Sequence, residues 1–273
     1  MSVDIRIELT EPPPLRELIP HVYGPDMCFR LQAGRGEWPQ AAILMHRHLV
    51  STRCTEVNWE AGALEITIRP FAAGEDFDVA LTLAAAIGEI NETEIWMEGE
   101  SGIPPRDLRA RIDPRRWQSA MAAGMRRLIE REGTMQLAGP RRSWYVGPRV
   151  LAELDAVESE LPFYYRATER MRRVQWIDEL DGYTAAEILT GELAGRESTL
   201  AVWDPRDRVI LPAVDLIAIQ HSDDHAVVAA ACIRDLAGSR ASWLDEQQVL
   251  LEAMHEDEIE QLFRAARRIA IDP

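Results

Sequence analysis

The sequence predicts an α+β fold with mainly antiparallel sheets, and three observations lead there. Segments in which apolar and polar residues alternate, such as Asp4-Ile5-Arg6-Ile7-Glu8-Leu9, come in clusters. Segments with helical spacing fall between those clusters, without the strict strand–helix alternation of a parallel α/β sheet. Apolar residues make up 47% and charged residues 28% of the 273, a mixture that buries a core rather than staying disordered. The length suits one large domain or two of ordinary size.

The elements follow in order. DIRIEL reads as a strand, and the proline-rich EPPPLRELIP after it admits a first helical turn but ends regular structure on both sides. MCFRLQA and AAILMHRHLV are further strands. TEVNWEAGALEITIRPF reads as two strands joined at Glu60-Ala61-Gly62-Ala63, where glycine supplies the positive φ of a tight hairpin. GEDFDVALTLAAAIGEI is a helix with acids in its first turn and an apolar stripe of Phe77, Leu81, Ala84 and Ile87. TEIWMEG returns as a strand. DPRRWQSAMAAGMRRLIERE is the clearest helix, with Asp113 as N-cap and Pro114 in the first helical position.

A second set of elements begins with the helix VLAELDAVESEL. TAAEILTGEL reads as a short helix, because Thr184 with Glu187 three residues later spells a capping box. STLAVWDPRDRVILPAVDLIAIQ reads as strand, turn and strand, with Pro212 breaking or bulging the return. HAVVAAACI is a strand, and SWLDEQQVLLEAMHEDEIEQLFRAARRIA is read as one helix entered at Ser242 and Asp245. The Gly/Pro/Arg-rich stretch 138–149 is the expected boundary between an N-terminal α+β domain (1–140) and a C-terminal one (150–273). The same stretch also reads as a long loop in a single domain.

Composition excludes several mechanisms. The formal charge is −16, which opposes nucleic-acid binding, since phosphates are met by a basic face. A basic protein partner is the better electrostatic match. Every basic side chain is arginine, so Schiff-base chemistry, P-loop phosphate binding and kinase-type catalysis lack their lysine. The three cysteines, Cys28, Cys54 and Cys232, are far apart and form no CxxC, so no disulfide framework or zinc ribbon is expected. With no secretory signal and no run long enough to span a bilayer, the expected location is the cytoplasm, in solution.

The chemistry-bearing residues are few. His46 and His48 share a face if both lie on a strand, about 7 Å apart, and would begin a metal site that still needs further ligands. His221, Asp224 and His225 are the candidates to complete it, with zinc or manganese as the metal, if the fold joins segments some 175 residues apart. No GxSxG elbow and no GxGxxG fingerprint is present. Asp215, inside ILPAVDLIAI, is a candidate buried charge. Phe163, Tyr164, Tyr165, Arg166 and Trp176 are of the types that anchor protein interfaces. Residues 101–150 hold 11 arginines against 4 acids, a local +7 that leaves −23 elsewhere, and so form a candidate anion-binding segment.

These observations rank three functions. First is an acidic protein-binding protein of adaptor, accessory or inhibitor type, without intrinsic catalysis or cofactor. Second is a metal-dependent hydrolase built on His46 and His48. Third is an anion-binding module using the arginines of 101–150.

Overall fold

The structure, a computed structural model, describes residues 2–14, 27–30, 42–156, 162–193 and 195–271. Most of the proline-rich segment after the first strand lies outside the described residues. The chain divides into two compact units, one of residues 1–144 and 151–175 and the other of 145–150 and 176–273. Residues 145–150 thus fall in the second unit and residues 151–175 in the first.

In the first unit the strands are β1 (Val3–Glu8), β2 (Met27–Arg30), β3 (Ile43–Arg47), β4 (Thr55–Glu60) and β5 (Ala63–Ile68). They precede helix α1 (Gly74–Ile90) and strands β6 (Ile95–Met97) and β7 (Glu100–Ile103). All seven strands form one sheet in the order β2-β3-β4-β5-β1-β6-β7, antiparallel at every step. The alternation seen in the sequence is literal in β1, where Val3, Ile5 and Ile7 are buried and Asp4, Arg6 and Glu8 exposed. β4 and β5 meet through Ala61 and Gly62, both at positive φ (51° and 80°), the backbone of a two-residue type I′ hairpin.

Helix α1 lies against β1, β3, β4 and β5 and buries Phe77, Leu81, Leu83, Ala84 and Ile87 on them. Burial of each such large side chain is worth about 1.5–3 kcal/mol. Gly88 allows a close approach: a Cβ there would stand 2.8 Å from Pro105 Cγ. Helix α2 (Leu108–Arg111) leads to α3 (Pro114–Glu132). The expected N-cap of α3 is present, the Asp113 carboxylate accepting from Arg115 N at 3.0 Å, and Gly133 ends the helix at φ 84°. The hairpin β8 (Met135–Ala138) and β9 (Ser143–Val146) follows, then helices α4 (Pro148–Ala156) and α5 (Phe163–Asp181).

The second unit contains β10 (Thr184–Ala185), β11 (Glu187–Leu193), β12 (Arg196–Trp203), β13 (Val209–Leu211), β14 (Leu216–His221) and β15 (Asp224–Ala229). Helix α6 (Ile233–Ala237), strands β16 (Ala241–Trp243) and β17 (Val249–Leu251), and helix α7 (Glu256–Arg267) complete it. Its sheets have the orders β11-β12-β14-β15 and β10-β13-β17-β16, each with one parallel step, β12 to β14 and β10 to β13. One core joins them, with Trp203, Ile217 and Val228 from the first sheet, Leu211 and Leu251 from the second, and Ile259 and Leu262 of α7.

Two segments read as helix contain strands instead. TAAEILTGEL is strand, not helix: Ile188 to Leu193 pair in unbroken register with Ala201 to Arg196. The capping-box spelling is idle, because the Thr184 hydroxyl donates to Arg208 O instead. The expected C-terminal helix is helical only from Glu256; its first half is the β16–β17 hairpin. There Asp245 forms a turn, its Oδ1 accepting from Gln247 N (2.9 Å) and Gln248 N (2.8 Å). Val249, Leu250 and Leu251 are all buried, which neither face of a half-exposed helix would allow. Among the described residues no helix is long and apolar enough to cross a membrane.

Candidate functional site

His46 is the penultimate residue of β3, but the chain leaves the strand at Arg47 and turns over residues 48–50, with Leu49 at φ 61°. The shared strand face expected for His46 and His48 therefore does not form. Burial, then the neighbouring His48, then Arg141 hold the His46 imidazole below its ordinary range, which favours the neutral ring. His221, Asp224 and His225 belong to the hairpin joining β14 and β15, whose tip holds Ser222 at φ 55°. His221 packs on Phe263 with ring centroids 5.2 Å apart, and the Asp224 carboxylate is ion-paired with Arg267. Among the described residues no group of three or more His, Cys, Asp or Glu side chains is placed to hold a metal ion.

The arginines of 101–150 are mostly engaged with the protein itself. Arg109 binds Asp78 at 2.9 Å and the Thr82 hydroxyl at 2.6 Å. Arg111 pairs with Glu100 at 3.1 Å, and Arg126 grips Asp155 through both terminal nitrogens. Arg142 donates to Val174 O at 2.9 Å, and Arg149 to Asp245 O. Each of these five arginines thus makes a contact within the protein.

The aromatic candidates are also turned inward. Tyr164 is 4% and Trp176 0% exposed, so neither can anchor a partner. Phe163 lies under the Arg126 guanidinium, 4.2 Å from ring centroid to Cζ, while Arg166 donates to Leu154 O. Of this group only Tyr165 is a large exposed apolar residue. Asp215 is exposed, not buried. Its Oδ2 accepts from Thr199 N (2.8 Å) and the Thr199 hydroxyl (2.9 Å), bonds that hold its carboxyl below the usual range.

The densest buried polar cluster surrounds Asp76, in the first turn of α1. Its Oδ2 accepts from the backbone N–H of Thr52, Arg53 and Ala73. Burial nevertheless pushes this carboxyl up from its ordinary value. Beside it Arg53 is only 3% exposed, and burial brings its guanidinium down to about 10. Cys54 is raised to about 12 by burial and then by Asp76, so it stays a thiol at neutral pH. This network fixes the loop that leads into β4.

Strand β11 offers an exposed edge to a partner. It is the edge strand of its sheet, and Glu187 to Glu192 are all exposed. Residues opposite each other on antiparallel strands share a face, so Ile188 continues the row of the buried Ala201, and Leu189 that of Leu200. Ile188 is 50% and Leu189 46% exposed. Alternate residues of an antiparallel edge strand also turn their N–H and C=O away from their neighbour. Farther along, Glu192 stands opposite Glu197, and like charges so placed repel. Sequence reasoning missed this site by reading the segment as helix. The signals were the β-prone Ile188 and Thr190 and the helix-weakening Gly191 within the segment. No known protein family, curated protein or solved structure matches the chain.

Proposed function

We propose that the protein is a binding protein that captures a basic, extended segment of a partner protein along β11. The observation that carries this reading is an edge strand with Ile188 and Leu189 exposed and Glu192 facing Glu197 farther along it. Natural proteins blunt or cover apolar sheet edges, because an open edge recruits further strands. A strand added there gains main-chain hydrogen bonds, and side-chain pockets supply specificity. Arginine or lysine on the added strand would relieve the Glu192–Glu197 repulsion, and the net charge of −16 steers a basic partner inward.

The test titrates the protein with a labelled peptide of alternating arginine and valine. A copy N-methylated on alternate amides and an alternating glutamate–valine peptide serve as controls. The expected result is saturable binding of the arginine peptide alone, weakened about tenfold or more by Glu192→Arg/Glu197→Arg, as for lost charge-assisted pairs. Equal binding of the N-methylated peptide removes strand addition, and indifference to the charge reversal removes the basic partner. A dimer that occupies β11 in the peptide's absence replaces the partner with a second copy of the chain.

A further inference from the structure

A cleft of about 260 Å³ opens in the second unit, well apart in sequence from β11. Its floor follows from strand register. Leu211 of β13 pairs with Val249 of β17, and Val249 pairs with Trp243 of β16, so the three side chains stand in one row on one face. Pro212 ends β13 and takes the chain away from the sheet. Ile233 of α6 lines the same cleft. Leu211 and Ile233 are 2% and Val249 5% exposed, and the rim carries the exposed Arg234 and Gln247.

Two guanidinium groups converge on Trp243, Arg149 at 3.9 Å and Arg234 at 5.1 Å from Cζ to the ring centroid. They are not equivalent. Arg149 donates to Asp245 O and lies 4.0 Å from Glu246. The Arg234 side chain makes no ion pair or hydrogen bond among the described residues, although acids outnumber bases by 46 to 30 in the chain. The indole face positions this cation and leaves its N–H groups open at the mouth of an apolar cleft.

We infer that the cleft binds a small apolar monocarboxylate. The apolar body lies on Leu211, Ile233 and Val249, and the carboxylate meets Arg234, with the Gln247 amide as a second donor. The volume of about 260 Å³ equals roughly nine waters of the liquid, room for an aryl or short alkyl acid but not a long lipid chain. A second carboxylate would rest on the apolar floor without a partner, at a desolvation cost that excludes diacids. Recognition here is of a fixed cation beside an apolar surface, the usual make-up of small-ligand sites.

The test follows backbone amide NMR shifts while the protein is titrated with 3-phenylpropionate and, separately, with the matched neutral 3-phenylpropan-1-ol. The acid is expected to shift amides in 211–214, 230–234 and 243–249 and to bind about tenfold more tightly than the alcohol, the gain of one charge-assisted contact. Arg234→Met, at an exposed position that does not threaten folding, is expected to erase that difference and leave the alcohol's affinity unchanged. Equal affinity of acid and alcohol, an unchanged acid affinity in Arg234→Met, or no shifts at millimolar acid would each overturn the inference. Acetyl-glycyl-phenylalanine with a free carboxylate tells the ligand's source. Tighter binding than 3-phenylpropionate assigns the carboxylate to a peptide terminus, and weaker binding assigns it to a free acid.

Discussion

Replacing Asp76 with alanine removes the acceptor of three buried backbone N–H groups, those of Thr52 (3.1 Å), Arg53 (3.1 Å) and Ala73 (2.9 Å). The Thr52 hydroxyl, also 3.2 Å from Oδ2, keeps its 2.7 Å bond to Phe71 O and adds little to the loss. Each buried donor left without an acceptor costs about 1–3 kcal/mol. Removing a costly buried charge offsets part of this, so the expected loss is about 3–5 kcal/mol. That is a large fraction of an ordinary folding free energy of about 5–15 kcal/mol. Asp76→Asn keeps one oxygen for the three donors, but its amide nitrogen falls where Oδ1 has no partner, and the expected cost is about 1–2 kcal/mol. Urea unfolding of the three proteins at neutral pH measures both numbers. A loss below about 1 kcal/mol for the alanine variant, or equal losses for both, would refute this account of the loop.

Other expectations follow from the same geometry. Burial and the adjacent cations hold His46 below 6.5, its ordinary value, so the unfolded chain takes up this proton first as pH falls. Wild-type stability therefore drops on acidification through that value, and His46→Gln flattens the drop in melting temperature against pH. The Asp76 carboxyl has the opposite sign. Its raised folded value makes stability fall as pH rises above 3.8, and the asparagine variant abolishes that segment of the slope. Gly62→Ala places a side chain at φ 80° in the β4–β5 turn and is expected to cost about 1 kcal/mol by thermal unfolding. Cys54, buried and raised to about 12, should resist iodoacetamide in the native protein and react after unfolding, as read by mass spectrometry.

Much of the fold is legible where local pattern and tertiary demand agree. β1 alternates because one face of an antiparallel sheet is buried, and α3 begins where Asp113 and Pro114 place it. The reading failed where a local signal was outvoted. Thr184 and Glu187 spell a helix start, yet residues 187–193 complete a sheet edge through pairing that no local window displays. Ser242 to Leu251 contain good helix formers, but Asp245 bends the chain and the strands on either side need the row of Trp243, Val249 and Leu211. The site was less legible than the fold. Histidines and clustered arginines drew attention by type, whereas Ile188, Leu189 and Arg234 matter through exposure and neighbours, which only the folded chain reveals.

Amide hydrogen exchange across β11, with and without the arginine–valine peptide, tests the central claim most directly. The account expects Glu187 to Glu192 to gain protection as their outward N–H groups enter a new ladder, with little change in the seven-stranded sheet. Protection confined to other surfaces, with β11 exchanging as before, would contradict it.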